Sequence, residues 1–195
     1  MNPRIYPAAD IDCWLEPDFL PASDQEAQLA RLSQEINWHQ DKIRLFGREQ
    51  LIPRLQAFMG APGIHYRYSG LTLEASGWHP VVEHYRQRLL QATGTEFNAV
   101  LLNLYRDGQD SMGWHRDNEP ELGKDPVIAS LSLGASRRFL LRHQGDQRRL
   151  ELTLTGGSLL WMGRGIQQQW QHSIPKTRRC NMPRINLTFR QVVNS

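Results

Sequence analysis

Two histidines and one aspartate are the residues whose types and spacing first suggest chemistry. His115 and Asp117 are two positions apart, and in an extended segment the side chains of residues i and i+2 point to the same side. His172 follows the apolar run 158–162 and precedes a further β region, so it is the expected third ligand. Two imidazoles and one carboxylate suit Fe(II), which must bind a cosubstrate and O2 at its open positions. A zinc hydrolase uses similar ligands, so these residues alone leave the metal open.

The segment 184–190 offers a second chemical signal. In a strand with a period of two, Arg184, Asn186, Thr188 and Arg190 share one face, and three apolar residues occupy the other. Guanidinium groups bind carboxylates through charge-assisted, bidentate hydrogen bonds. The pattern therefore indicates a strand that holds a dicarboxylate by both ends, although a strand with one wet face fits the same alternation.

A second candidate strand presents polar groups in the same way. Asn103 and Tyr105 alternate with Leu102 and Leu104, which would place both polar side chains on one face. Asparagine is disfavoured in strands, and a polar cosubstrate would explain its presence. An exposed strand face is the alternative interpretation.

The framework that must position these residues is predicted from apolar patterning. Helices are expected over 21–37, where Ser23 to Glu26 has capping-box spacing, and over 80–92, which Pro80 begins and Gly94 closes. Short runs then predict strands at 97–105, 127–133, 139–142, 150–155, 158–162 and 184–192. No long helical pattern separates these runs, so a parallel βαβ sheet is disfavoured and a double-stranded β-helix, or jelly roll, is predicted.

Length and composition bound the remaining possibilities. The 195 residues fit one structural unit of the α+β class, mainly β. Residues 1–95 are predicted to form an irregular arm over 1–20, helices and a lid, and residues 96–195 the jelly-roll core. No apolar run approaches the roughly 20 residues of a membrane span. Cys13 and Cys180 are expected to be free thiols in a reducing cytoplasm.

Charge is unevenly distributed along the chain. Residues 1–100 carry 9 Lys/Arg and 12 Asp/Glu, a balance of −3, whereas residues 101–195 carry 14 and 8, a balance of +6. Arginine predominates among the cations, and its planar fork suits carboxylates and phosphates. The basic half is consistent with a polyanionic partner or an acidic cosubstrate, and equally with a solvated surface.

Taken together, these motifs resemble the AlkB family of Fe(II)/2-oxoglutarate-dependent nucleic-acid dealkylases. The segments that carry the resemblance are 103–105, 115–119, His172 and 184–190. Segments 45–47 and 66–72 are most similar to the branch of animal DNA-repair homologues, and the resemblance extends from about residue 42 to 192. It implies a jelly roll with N-terminal helices and a nucleotide-recognition lid. It also implies Fe(II) as cofactor, with 2-oxoglutarate and O2 as cosubstrates.

The resemblance also implies residue roles. The catalytic metal ligands would be His115, Asp117 and His172. Asn103, Tyr105 and Arg184 would hold the distal carboxylate of 2-oxoglutarate, and Asn186 and Arg190 the end that chelates iron. The substrate-binding residues would be Tyr66 and Tyr68 in the base pocket, Glu119 against the exocyclic amino group, and Phe46 as a wedge in the duplex.

The implied activity is oxidative dealkylation of 1-methyladenine and 3-methylcytosine in DNA. Both bases are cationic near neutral pH, and a carboxylate such as Glu119 favours a cation over the undamaged base. Arg48, Arg54, Arg137, Arg138 and Arg142 are candidate phosphate contacts. Three alternatives remain: the same chemistry on RNA, an oxygenase acting on a protein or small molecule, and a nucleic-acid-binding module with a vestigial triad. We expect a cytoplasmic monomer, nucleoid-associated if bacterial, that binds alkylated DNA or RNA and no membrane.

Overall fold

The last strand of the chain lies inside the larger of two antiparallel sheets. The computed structural model describes residues 3–45, 48–68 and 71–193, with the backbone alone at 44, 45, 48 and 68. In this part of the chain, the larger sheet has the strand order β1 (Cys13–Glu16), β12 (Leu159–Met162), β9 (Ile128–Gly134), β14 (Arg184–Arg190), β7 (Ala99–Tyr105) and β4 (Leu55–Gly60).

The smaller sheet faces the polar side of β14. Its strand order is β11 (Arg149–Leu154), β10 (Arg137–His143), β13 (Trp170–Ile174) and β8 (Met112–His115). Two hairpins stand apart, β2 (Lys42–Leu45) with β3 (Arg48–Leu51) and β5 (His65–Tyr68) with β6 (Leu71–Glu74). The predicted jelly roll is thereby confirmed.

Three α-helices lie in the described residues, α1 (Ala22–Glu35), α2 (Pro80–Thr93) and the short α3 (Ile166–Gln169), and a 3-10 turn spans Pro120–Leu122. The prediction for α2 is confirmed, since Pro80 begins it and Gly94 closes it in the left-handed region at φ 69°. The predicted capping box of α1 is wrong. Pro21 is the N-cap, no side chain caps the helix, and the hydroxyl of Ser23 donates to Asp24 at 2.9 Å.

The apolar core of the described residues has three parts, and the apolar face of β14 lies in the first of them. Ile185, Leu187 and Phe189 pack with Leu32 and Leu89 of the helices, and full burial of such side chains stabilises the fold by roughly 1.5–3 kcal/mol each. The polar residues of β14 are buried on the opposite face, toward the smaller sheet. The predicted alternation of this strand is confirmed.

The N-terminal arm contributes a strand that the sequence analysis did not predict. Residues 1–20 were expected to be irregular, yet β1 pairs antiparallel with β12 at the end of the larger sheet. Cys13 and Leu15 are buried in the second part of the core. Four residues carry too little alternation to identify a strand, so β1 is specified by its partner. Both cysteines are free, as predicted, and no helix in the described residues is long and apolar enough to cross a membrane.

Candidate active site

The three predicted metal ligands meet between the two sheets. His115 ends β8, Asp117 follows it, and His172 lies in β13, directly opposite His115 in the strand pairing. One ligand atom from each residue lies within 4.8 Å of the others. The two imidazole centroids are 4.2 Å apart, and His115 Nε2 is 4.0 Å from Asp117 Oδ1.

Backbone geometry fixes the tautomer of His115. Its Nδ1 lies 2.9 Å from the carbonyl of Gly113, which can only accept, so Nδ1 must carry the proton. The lone pair is therefore on Nε2, the nitrogen that faces Asp117. Holding the outer ring nitrogen by a carbonyl is the usual way to orient a metal-binding imidazole.

Electrostatics keep these groups in the protonation states that a metal requires. Burial, followed by the charge of His115, lowers the pKa of His172 to about 3. Burial also lowers the pKa of His115. For Asp117, burial raises the pKa, but the charge of Arg190 and the two histidines outweigh it and the pKa is lowered overall. The ligand set at neutral pH is thus two neutral imidazoles and one carboxylate.

A divalent ion fits this arrangement. Nδ1 of His172 is buried and finds no hydrogen-bond partner among the described residues, while burial opposes its protonation. His115, Asp117 and His172 would hold Fe(II) and leave part of its coordination sphere open toward the cavity.

Arg184 lines the same cavity as the metal-ligand residues. The residue is 1% exposed, and its Nη2 donates to the hydroxyl of Ser132 at 2.9 Å. Its Nε and Nη1 are buried with no hydrogen-bond partner in the described residues, and burial lowers its pKa to about 10. Because unmade hydrogen bonds of a buried charge are costly, this guanidinium is suited to a carboxylate ligand.

Asn103 and Tyr105 line the cavity with Arg184, on the face that the sequence predicts. The Tyr105 ring lies 5.3 Å from the guanidinium of Arg184 and 5.5 Å from that of Arg137. Asn103 Oδ1 accepts a hydrogen bond from Nε of Arg54 at 2.8 Å, which leaves the amide NH2 of Asn103 as its donor.

Two of the predicted phosphate contacts are wrong. Arg54 is 3% exposed and Arg137 is 2% exposed, so both guanidiniums are internal. Each is positioned by buried acceptors, the side chain of Asn103 for Arg54 and three backbone carbonyls for Arg137. The burial of these arginines could not be predicted from the sequence, because the acceptors that bind their guanidinium groups lie far away along the chain.

Arg190 joins the metal ligands to the predicted base pocket. Its Nη2 lies 3.7 Å from Asp117 Oδ2, and its guanidinium lies 4.9 Å from the ring centroid of Tyr66. Tyr66 is fully buried and stacks on Phe58 at 5.6 Å. It belongs to the same core cluster as Leu101, which lines the cavity. Burial, followed by the charge of Asp117, raises the pKa of Glu119. The side chain of Tyr68, and all of Phe46, lie outside the described residues.

Asn186 is held by its neighbours rather than left open. Its Nδ2 donates to the hydroxyl of Ser130 at 2.8 Å and to the carbonyl of Leu131 at 3.1 Å, and its Oδ1 accepts from Thr188 at 3.0 Å. Ser130 and Ser132 were missed as site residues. They alternate with the apolar residues of β9, so the same period of two could have identified them.

Comparisons with known proteins agree with this geometry. The model of the 2OG-Fe(II) oxygenase superfamily matches residues 12–190. The chain is 41% identical over 201 residues to human DNA oxidative demethylase ALKBH2, and the aligned region covers 97% of this chain and 77% of the relative. It is 44% identical over 160 residues to ALKBH2 of Bos taurus, covering 78% of this chain and 58% of the relative.

A third relative and one solved structure extend the comparison. The human protein named alpha-ketoglutarate-dependent dioxygenase alkB homolog 3 is 40% identical over 191 residues, covering 91% of this chain and 65% of that protein. The chain thus spans 58% to 77% of the length of these relatives. The structure of OsALKBH1 superposes with a TM-score of 0.65 and 18% identity, covering 97% of this chain and all of the other, which shows a shared fold. The chain belongs to the 2OG-Fe(II) oxygenase superfamily and, within it, to the AlkB family.

Proposed function

We propose that this protein is a DNA oxidative demethylase that removes alkyl groups from N-alkylated bases such as 1-methyladenine and 3-methylcytosine. The reaction would convert 2-oxoglutarate and O2 to succinate and CO2 and release the alkyl group as an aldehyde. The observation that carries the proposal is the convergence of three metal-ligand residues and two buried arginines on one cavity, in a chain 41% identical to a DNA oxidative demethylase.

Bound Fe(II) and 2-oxoglutarate would supply the oxidising chemistry, and the chain would supply position and charge. Arg184, with Asn103 and Tyr105, would hold the distal carboxylate of 2-oxoglutarate. Arg190 would orient the end nearer the metal ligands. Asn186, whose NH2 is bonded to Ser130 and Leu131, would line the cavity beside that end. Arg190 also offsets the charge of Asp117, which keeps that carboxylate ionised.

The substrate base would enter beside Glu119 and Tyr66, with Tyr68 stacking on it and Phe46 filling the gap that it leaves in a duplex. A methyl group on the Watson–Crick edge removes base pairing, which lowers the cost of extruding the base. RNA carrying the same lesions is the second candidate substrate. We further propose that the protein acts as a monomer in the cytoplasm, consistent with its two free cysteines.

The test is a demethylation assay with the full chain, Fe(II), ascorbate and 2-oxoglutarate. A single-stranded DNA oligonucleotide containing 1-methyladenine should yield succinate, formaldehyde and adenine in equal amounts. His172→Ala should reduce turnover at least about a hundredfold and weaken Fe(II) binding, because one ligand is lost. His84→Ala alters an exposed histidine on α2 and should retain activity. Equal succinate release with an unmethylated oligonucleotide, or full turnover by His172→Ala, would refute the proposal; preference for methylated RNA would reassign the substrate.

A further inference from the structure

Trp114 is an exposed tryptophan that belongs to none of the hydrophobic core clusters of the described residues. The residue is 37% exposed, whereas the other five tryptophans are buried or half-buried. It belongs to β8, which among the described strands pairs with β13 alone and so forms an edge of the smaller sheet. His115, the next residue, faces His172 on the inner side, and Trp114 therefore faces outward, directly behind the metal ligands.

An arginine is fixed against the Trp114 ring. The guanidinium of Arg142 lies 4.6 Å from the ring centroid. Its Nε and Nη2 donate to Gln171 Oε1 at 2.9 and 2.7 Å. The ring and the guanidinium form an ordered pair at the surface, which lowers the entropic cost of using either as a binding group.

No carboxylate of the described residues forms an ion pair with Arg142 or Arg116, the two arginines near Trp114. Arg142 binds a neutral amide, and Arg116 donates to Gln144 Oε1 at 3.4 Å and to the carbonyl of Gln168 at 3.3 Å. Farther along the same sheet, Arg138 pairs with Glu151 at 2.7 Å and Arg148 with Asp10 at 2.9 Å. The uncompensated charge of this face thus lies beside the exposed ring.

We propose that Trp114, Arg142 and Arg116 form a second nucleotide subsite for a nucleotide that flanks the target base. The flanking base would stack on the free face of Trp114, and its phosphate would lie against Arg142 and Arg116. Such a pairing of an aromatic ring with cations binds unpaired nucleotides of any sequence. This subsite rests on the proposed function and adds a contact to it. The edge strand β8 lies between Trp114 and the metal-ligand residues, so a single nucleic-acid strand that crosses this edge can reach both places.

The alternative is that Trp114 only shields the stem of Arg142. A shielding residue would affect stability and not the affinity for a particular nucleotide. The two readings therefore differ in whether the effect of Trp114 depends on the presence of a flanking base.

The test is a double-mutant cycle measured by fluorescence anisotropy in the absence of 2-oxoglutarate. The ligands are a single-stranded oligonucleotide containing 1-methyladenine and a series in which one flanking nucleotide is replaced by an abasic spacer. Trp114→Ala should weaken binding of the complete oligonucleotide at least about fivefold, as expected for loss of one stacked base. Trp114→Phe, which keeps a ring, should recover most of that loss.

For one spacer position, the wild type and Trp114→Ala should bind with the same affinity. A Trp114→Ala loss of the same size with every spacer oligonucleotide, or no loss with the complete one, would overturn the subsite. Thermal unfolding of both variants controls for folding. Binding is read without turnover, so failure of the subsite is distinguishable from failure of the demethylase proposal, which would appear as absent succinate release by the wild type.

Discussion

Asp117 is the residue at which the charges of the site meet. It lies 4.0 Å from Nε2 of His115 and 3.7 Å from Nη2 of Arg190. A buried carboxylate is costly unless it is paired, and here Arg190 pairs with it while both imidazoles stay neutral. The charge left for a bound cation is therefore set by one aspartate and one arginine, which favours a divalent ion with an anionic cosubstrate bound beside it.

The protonation state of Glu119 should make the activity depend on pH. The pKa of Glu119 is raised by burial and by the charge of Asp117. Glu119 therefore becomes a carboxylate only at a higher pH than a free glutamate does. Because the carboxylate favours a cationic base, kcat/KM for 3-methylcytosine should rise as the pH increases through this pKa. Glu119→Gln should lower kcat/KM by about tenfold above that pKa, equivalent to roughly 1.4 kcal/mol, and should remove the acid limb.

A neutral etheno adduct of adenine provides the control for Glu119. It carries no charge for the carboxylate to stabilise, so the wild type and Glu119→Gln should differ little on it across the same pH range. Steady-state kinetics on the two lesions in one oligonucleotide sequence measure this difference. Equal losses on both lesions would mean that Glu119 acts through structure.

At the scale of elements, Arg137 connects the strands that carry the site. Its Nη1 donates to the carbonyl of Asp107 at 3.0 Å, and its Nη2 donates to those of Asp110 and Pro175 at 2.8 Å each. Asp107 and Asp110 lie between β7 and β8, and Pro175 follows β13. One side chain of β10 thus holds together the connections that position Tyr105, His115 and His172.

Arg137→Met should therefore weaken both folding and cosubstrate binding. It keeps most of the side-chain stem but leaves three carbonyls without this donor, and we expect a loss of about 2–4 kcal/mol in the free energy of unfolding. KM for 2-oxoglutarate should rise because Tyr105 loses the guanidinium behind its ring. The neighbouring Arg138→Met removes an exposed arginine paired with Glu151 and should leave the free energy of unfolding nearly unchanged, because exposed ion pairs contribute little. Urea denaturation of both variants measures the free energy of unfolding. Equal stability of the two variants would contradict the stabilising role of Arg137.

The parts of the fold that can be predicted from the sequence are those that depend on neighbouring residues. The faces of β14, the limits of α2 and the pair His115 and Asp117 follow from local spacing, because a period of two, or a Pro and a Gly at the two ends of a helix, is visible in neighbouring residues. The strand β1, the pairing order of the sheets and the internal positions of Arg54 and Arg137 depend on residues far along the chain. The false capping box of α1 has the same origin, since Pro21 supplies the turn and Ser23 bonds to Asp24 instead.

At the scale of the whole molecule, much of the positive charge of residues 101–195 is already engaged. Arg137, Arg184 and Arg190 are buried, and Arg106, Arg138 and Arg148 form ion pairs with carboxylates. Among the described residues, the net charge of a segment is therefore a poor measure of the charge that faces a polyanion. The arginines that hold only neutral groups, such as Arg116 and Arg142, are the better candidates.

This distinction predicts how salt affects nucleic-acid binding. Each phosphate contact with a single strand contributes about −0.7 to the slope of log K against log salt concentration. Arg142→Gln should weaken binding and make the slope less steep by about that amount, because the proposed subsite gives Arg142 one phosphate contact. Arg138→Gln alters the same strand and the same face but a residue bonded to Glu151, so its slope should match that of the wild type. The slopes are measured from Kd values in anisotropy titrations at several KCl concentrations. Identical slopes for both variants would show that an arginine without a carboxylate partner on this sheet is no more likely to contact phosphate than an arginine in an ion pair.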